Sequence, residues 1–365
     1  MTTHAPARPT SVDDYTEALF AALPRVDQRR WARTYLRGLL VTPGKKTLRR
    51  IAQMVGTSPT ASQSMHQFIN ASTWDWEPVR DELARWTSRL VAPDAYVIDL
   101  AYIRKRGDRS CGVHTRFVPH VGRTLTCQVG TGAFLATQQF ALPIDWRLHL
   151  PARWLTEEDG LRARVPEFNR AQSLEEEALD LLTAWDRRGW TQPLPVVADL
   201  SGQGDNKQLL RGLAERRQPF VVAVQPGLRF TTTKGLVREA RSLTVDGSPA
   251  GARAIPSVLA RVPGIAAAGT PSRDYRIFAT RQGPTRTPRW WLTSLTDARV
   301  DHLLALTQLL DRSAEAITDM GKQFGLADFE GRSFPGWHHH MTIMSAAYVW
   351  HRLQTSPPER ELSLV

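Results

Sequence analysis

The spacing of apolar positions divides the chain into two regimes. Up to about residue 90 they recur at helical intervals. Tyr15, Leu19, Phe20 and Leu23 follow Ser11-Val12-Asp13-Asp14, a helix start with a capping serine and early acids. Trp31, Tyr35, Leu36 and Leu39 make one face of a helix over 29–40, which Pro43-Gly44 ends. Shorter helices are predicted over 47–55 and 60–69, separated by Gly56-Thr57-Ser58-Pro59, and Trp74-Asp75-Trp76-Glu77-Pro78 opens another that runs to about Leu90. Pro93-Asp94 is the boundary.

Beyond it the period shortens to that of strands. Segments 95–100, 111–118 and 125–134 read as three successive strands, and 140–150 as a further extended stretch. A helix over 174–188, a strand over 194–199, a helix over 206–217 and a strand over 220–225 form a βαβ run. Residues 226–272 are weakly periodic and rich in Gly, Pro, Arg and Thr, which predicts an insertion with little core of its own. Strands return at 275–280 and 290–294. Helical patterns cover 300–323 and 337–353, with a loop over 328–336. The predicted organisation is a tail (1–11), a helical domain (12–92), an α/β domain (93–354) and a polar tail (355–365).

Composition adds a partner class. The 365 residues are 42% hydrophobic, enough for a large core, and carry a formal net charge of +11. Arginine supplies most of that excess and suits bidentate phosphate contacts, so a polyanion such as nucleic acid is the expected partner. Cys111 and Cys127, the two cysteines, lack metal-ligand spacing and read as reduced core thiols. No segment has the pattern of a signal peptide or a membrane span, so the expected location is cytoplasmic, at the nucleoid, with no membrane partner.

Two acids change the picture further. Asp99 ends an apolar strand and is soon followed by Arg104, Lys105 and Arg106; Asp199 repeats the device on 194–199. Paired acids at strand ends suit a divalent cation and phosphoryl-transfer chemistry. The three cations are candidates for the DNA backbone or for charge compensation of the acid. The helices around 47–69 have the outline of a helix-turn-helix, in which Lys45, Lys46, Arg49 and Arg50 would meet phosphate; a plain bundle with solvated cations fits the same pattern.

Several motifs then occur in order. They are Arg30-Trp31, Gln67-Phe68-Ile69-Asn70 and Trp74-Asp75-Trp76; Ile98-Asp99 with Arg106-Gly107 and Ser110-Cys111-Gly112-Val113; Cys127-Gln128-Val129-Gly130; Arg147-Leu148-His149-Leu150-Pro151 with Trp154; Val197-Ala198-Asp199 with Gly204-Asp205-Asn206; and Gly325-Leu326 with Phe329-Glu330-Gly331-Arg332-Ser333 and Gly336-Trp337-His338-His339-His340. In these the chain resembles bacterial insertion-sequence transposases with a DDE superfamily endonuclease domain, over about residues 28–354. The resemblance implies an α/β, RNase H-like core, a mixed sheet flanked by helices, with an N-terminal helical domain and an insertion before the last core helix. It implies double-stranded DNA as partner, DNA transposition as the ancestral activity, and Mg2+ or Mn2+ held by three carboxylates. A homodimer is a further candidate assembly.

Carried over, Asp99 and Asp199 match the first two acids. The third position falls on Ala314, and the lysine that usually follows falls on Gly321. Glu315 and Asp311 are the neighbouring candidates. One residue turns a helix by about 100°, and three residues shift it by about 4.5 Å. Arg332, His338 and His340 are candidates for phosphate contact, and the three consecutive histidines read as structural or phosphate-contacting rather than as a zinc site. The resulting expectations are a transposase-like DNA-binding protein whose cleavage activity is compromised at residue 314, or a protein of this fold turned to DNA-binding regulation or to a non-DNA substrate.

Overall fold

The computed structural model describes residues 11–56, 58–119, 121–167, 169–189, 194–243, 256–265, 273–281 and 288–355. The expected tails, apart from Ser11 and Thr355, lie outside this set.

Five helices open the chain: α1 (Val12–Leu19), α2 (Val26–Val41), α3 (Leu48–Met54), α4 (Ala61–Asn70) and α5 (Glu77–Leu90). Ser11 Oγ accepts from the Asp14 amide and Thr47 Oγ1 from the Arg50 amide, so α1 and α3 begin at side-chain caps. Four strands follow: β1 (Ala95–Arg104), β2 (His114–Val118), β3 (Arg123–Ala136) and β4 (Ala141–Leu148). After a 3-10 turn come α6 (Glu157–Ala163) and α7 (Leu174–Arg187), the latter starting in a capping box between Ser173 and Glu176. The chain continues through β5 (Val196–Ala198), α8 (Lys207–Glu215), β6 (Phe220–Val224), β7 (Arg229–Thr232), β8 (Val237–Glu239), β9 (Ser257–Arg261), β10 (Tyr275–Thr280) and β11 (Arg289–Thr293). It closes with α9 (Val300–Asp319), a short π-helical turn (Met320–Phe324) and α10 (Phe334–Thr355).

One sheet joins the strands in the order β2-β3-β1-β5-β6-β11-β10-β9-β7-β8, with β4 also paired to β3. β1, β5 and β6 run parallel, and the remaining pairs are antiparallel. This is the mixed sheet flanked by helices that the resemblance implies. Alternation along β1 sends Tyr96 and Ile98 to one face, under α7 and α8, and Val97 and Ala101 to the other, under α9 and α10. Asp99 shares the parity of Val97 and so faces α9.

Four expectations need correction. β1 continues to Arg104, because Leu100 to Arg104 stay paired with β3, so Asp99 lies inside the strand rather than at its end. α6, unforeseen, starts at Thr156 with Glu157, Glu158 and Asp159 in its first turn, an acidic run that favours the helix dipole. The described part of 226–272 adds β7, β8 and β9 to the main sheet and buries Phe230, Ala260 and Ile265 in its core. Short strands and intervening polar turns hid that pattern. Finally, α10 begins at Phe334 rather than at Trp337, with the Ser333 hydroxyl accepting from the Gly336 amide.

α10 is buried almost all round, between β4 on one side and α2, α4 and α5 on the other. α1–α5 therefore share one apolar cluster with the lower sheet face. A buried charge network ties these layers together. Asp145 on β4, fully buried, accepts from Arg80 Nη1 of α5 (3.0 Å), Arg147 Nη1 (2.8 Å) and Arg188 Nη2 (2.8 Å).

Candidate functional site

The parallel pairing of β1 with β5 sets Ile98 opposite Ala198, so Asp99 and Asp199, the next residue of each segment, stand side by side at the sheet surface. Both line a cleft of about 630 Å³, together with Arg289, Asp311, Ala314 and Gln203. β11 supplies Arg289 and α9 supplies Asp311 and Ala314.

Each aspartate has a serine. Ser313 Oγ of α9 donates to Asp99 Oδ2 at 2.6 Å, and the Leu100 amide donates to Oδ1 at 2.8 Å. Ser201 Oγ and its amide donate to Asp199 Oδ1 at 2.6 and 3.1 Å, and Arg289 Nη1 lies 3.8 Å from Oδ2. Burial pushes the Asp99 pKa up to about 6; the two hydrogen bonds oppose this, and the charge of Asp199 adds to it. A carboxylate raised in this way favours the folded state below its unfolded pKa, and that contribution is lost as pH rises through about 6. In chelator, Asp99→Asn is therefore expected to raise stability on the order of 1 kcal/mol at pH 7–8 and to be nearly neutral at pH 4. Thermal melts at the two pH values check this, and equal shifts at both would count against it.

Of the two substitutes for the third acid, Asp311 lines the cleft and Glu315 does not. The Glu315 carboxylate is 60% exposed, pairs with Arg312 at 2.8 Å and lines an adjoining groove with Phe140 and Arg352, which shares Asp311 and Ala314 with the cleft. The 100° rotation per residue explains the difference. Ala314 is exposed and faces the cleft with both aspartates, where the resemblance implies a glutamate. Among the described residues, no group of three or more His, Cys, Asp or Glu side chains is arranged to hold a metal ion. The donor set fits a single hard cation on Asp99 and Asp199 with water completing its shell, and it does not fit a clamp of three carboxylates around two ions.

The cationic candidates separate by exposure. Arg49, Arg104, Arg106 and Arg332 are exposed, as is Lys45, 3.5 Å from Glu330. Arg104 lies five residues along β1 from Asp99, about 16 Å, so it is removed from the cleft rather than beside the acid. Lys105 donates to the Phe329 and Ala327 carbonyls at 2.9 and 3.4 Å, and burial lowers its pKa to about 8. The phosphate-contacting role expected of Lys46, His338 and His340 does not match their burial. The Lys46 ammonium donates to the Thr42 carbonyl. His340 Nε2 lies 3.0 Å from the Gly325 carbonyl oxygen and Nδ1 lies 2.9 Å from the Tyr35 hydroxyl. His338 Nδ1 faces Arg80. These are scaffold interactions inside a closed core.

A family model described as DDE superfamily endonuclease matches residues 18–287. The chain belongs to the DDE superfamily endonucleases. The matched segment includes Asp99 and Asp199 and stops before α9. No curated protein matches the chain. DDE domains of this kind generally use divalent metals, and transposase-type ones usually bind DNA. Among the described residues, no helix is long and apolar enough to cross a membrane.

Ser313, Ser201 and Arg289 were not singled out in the sequence. Ser201 was findable, since a serine two residues after a strand-terminal aspartate is a common turn signature. Ser313 and Arg289 reach the site only through tertiary packing, and neither lies in a recognisable motif.

Proposed function

We propose that this DDE superfamily protein binds double-stranded DNA over the face that carries the Asp99–Asp199 cleft and cleaves it with a divalent cation, at a rate far below that of a three-acid site. The observation that supports this is the adjacency of the two aspartates on parallel strands, facing Ala314 across one cleft. A bound Mg2+ or Mn2+ would supply Lewis-acid stabilisation of the phosphodiester oxygens. Asp99 and Asp199 would hold the cation, Ser313 and Ser201 would orient their carboxylates, and Arg289 would meet phosphate at the rim. Asp311, which lines the same cleft, would contribute through water. The exposed arginines Arg49, Arg104, Arg106 and Arg332, with Lys45 and Lys105, would contribute the salt-dependent backbone contacts.

The test is nicking of supercoiled DNA with Mg2+ or Mn2+. Slow nicking is expected, lost on the order of a hundredfold or more in Asp99→Ala and Asp199→Ala with DNA binding retained. Equal activity in all three proteins would sink the catalytic reading. A second reading, DNA binding or regulation without cleavage, is favoured by the Ser313 hydroxyl already on Asp99 and by Arg289 beside Asp199. It predicts salt-sensitive DNA binding and no nicking with either metal.

A further inference from the structure

The helix-turn-helix outline has a charge distribution that the cleft does not account for. Residues 28–74 contain eight Arg and Lys and no Asp or Glu, so this stretch holds +8 of the chain's net charge of +11. It includes most of α2 and the whole of α3 and α4, which pack on one another. Arg29, Arg37 and Lys46 are engaged within the protein, by the Leu23 carbonyl, Asp13 and the Thr42 carbonyl. Arg49 and Arg50 on α3 are exposed and, among the described residues, belong to no salt bridge. Clustered cations with no acids among them are the electrostatic footprint of a nucleic-acid surface.

α4 is built differently from α3. Ala61, Met65, Phe68 and Ile69 are buried, and the helix packs on α2, α3 and α10. Phe68 stacks on Trp74 at 5.6 Å, and the Ile69 carbonyl oxygen lies 2.8 Å from His339 Nδ1, so the helix is held in place. The opposite face presents Gln63, His66 and Gln67, all exposed, with Ser62 beside them, and none of the 10 residues is Asp, Glu, Lys or Arg. A solvated helix face ordinarily carries Lys and Glu, and the centre of a protein interface ordinarily carries aromatics, Met or Arg. This face carries neither set. Its neutral side chains both donate and accept, as base edges do, while the cations that phosphates require stand on α3. The four side chains lie in the first two turns, the part of a recognition helix that reaches base edges. A helix of 10 residues is about 15 Å long, against a major groove about 12 Å wide. Gln63 and Gln67 are one turn apart, about 6 Å between Cβ atoms, which spans about two base-pair steps.

We propose that α2–α4 form a sequence-reading module, in which α4 enters the major groove, Gln63 and Gln67 read adenine at N6 and N7, and Arg49 and Arg50 hold the flanking phosphates. This rests on the DNA-binding reading above and adds to it a site of sequence choice distinct from the cleft. The test exposes the full chain, in chelator, to a pool of duplexes with a randomised core and sequences those retained. The retained pool is expected to converge on a motif that contains A·T pairs. The double variant Gln63→Ala, Gln67→Ala is expected to bind that selected duplex at least about tenfold more weakly, with its affinity for an unselected duplex and its melting temperature unchanged. Arg49→Ala with Arg50→Ala is expected to weaken both duplexes alike and to lower the salt slope by about two. Retention without an enriched motif, or a motif that the double glutamine variant still selects, would overturn the proposal and leave the DNA-binding reading standing. Retention of no duplex would overturn both.

Discussion

Ala314→Glu is expected to raise metal-dependent nicking by about a hundredfold to a thousandfold and to tighten Mn2+ binding measured without DNA. The position is exposed on α9 and opens into the cleft that holds Asp99 and Asp199, so a longer side chain meets no packed neighbour on entry. A third carboxylate would complete a hard-oxygen set able to hold a second cation, whose charge would stabilise the oxygens of the reacting phosphodiester. The variant carries a second signature. In chelator the added charge repels Asp99 and Asp199, so the metal-free protein should melt lower than wild type, while Mn2+ should stabilise it more than it stabilises wild type. Calorimetric titration with Mn2+ reads the affinity independently of activity. Unchanged affinity would show that residue 314 is not the missing corner, and Asp311→Ala would then be the next comparison.

The largest expected loss of stability lies on β4, two strands across the sheet from Asp99. Asp145→Asn leaves Arg80, Arg147 and Arg188 converging on a neutral amide in a site with no exposure at Asp145 and 1% at Arg80. Removing one partner of a buried ion cluster costs about 3–5 kcal/mol, because the remaining charges stay desolvated. Burial alone would raise the Asp145 pKa, but Arg147, Arg80 and Arg188 outweigh it and hold the carboxyl well below the usual range. A depressed carboxylate contributes stability above its unfolded pKa of about 3.9, and loses it only as pH falls through the lower folded value. The gap between variant and wild type should therefore stay constant from pH 8 to pH 5 and close only in strong acid. Urea unfolding at several pH values measures it, and a loss below about 1 kcal/mol would mean that water reaches the cluster.

These two sites differ in how far the sequence exposed them. Asp99 and Asp199 were legible because an acid within or just after an apolar strand breaks a simple pattern, and the order of motifs agreed with it. Their neighbours on the page of the sheet were not. Ser313 is an ordinary helical serine until α9 crosses β1, and Arg289 is one arginine among many until β11 pairs with β6. Asp145 and Arg80 gave no signal because each partner lies on a different element, 65 residues apart. The histidine run left two readings open, structural or phosphate-contacting, and burial favours the first. Each ring is buried against backbone carbonyls, Arg80 or Tyr35, so the phosphate-contacting alternative fails for His338 and His340. Helices and strands with clean periodicity were predicted to within a few residues. The sheet extension in 226–272 was missed because strands of three to five residues bury too few positions to show a period.

The central position of α10 has a consequence for how the protein is made. The helix is the last described element of the chain, yet β4, α2, α4 and α5 all pack on it, and the Tyr15 hydroxyl donates to its Ala346 carbonyl at 3.0 Å. During synthesis the first five helices and the lower sheet face emerge with their apolar sides uncovered, and they remain so until some 250 further residues have been translated, on the order of half a minute at about 10 residues per second. The nascent chain must be shielded over that interval. A premature stop before Phe334 would thus deprive the earlier layers of their common partner, and the truncated product would be a substrate for chaperones and proteases rather than a smaller working protein.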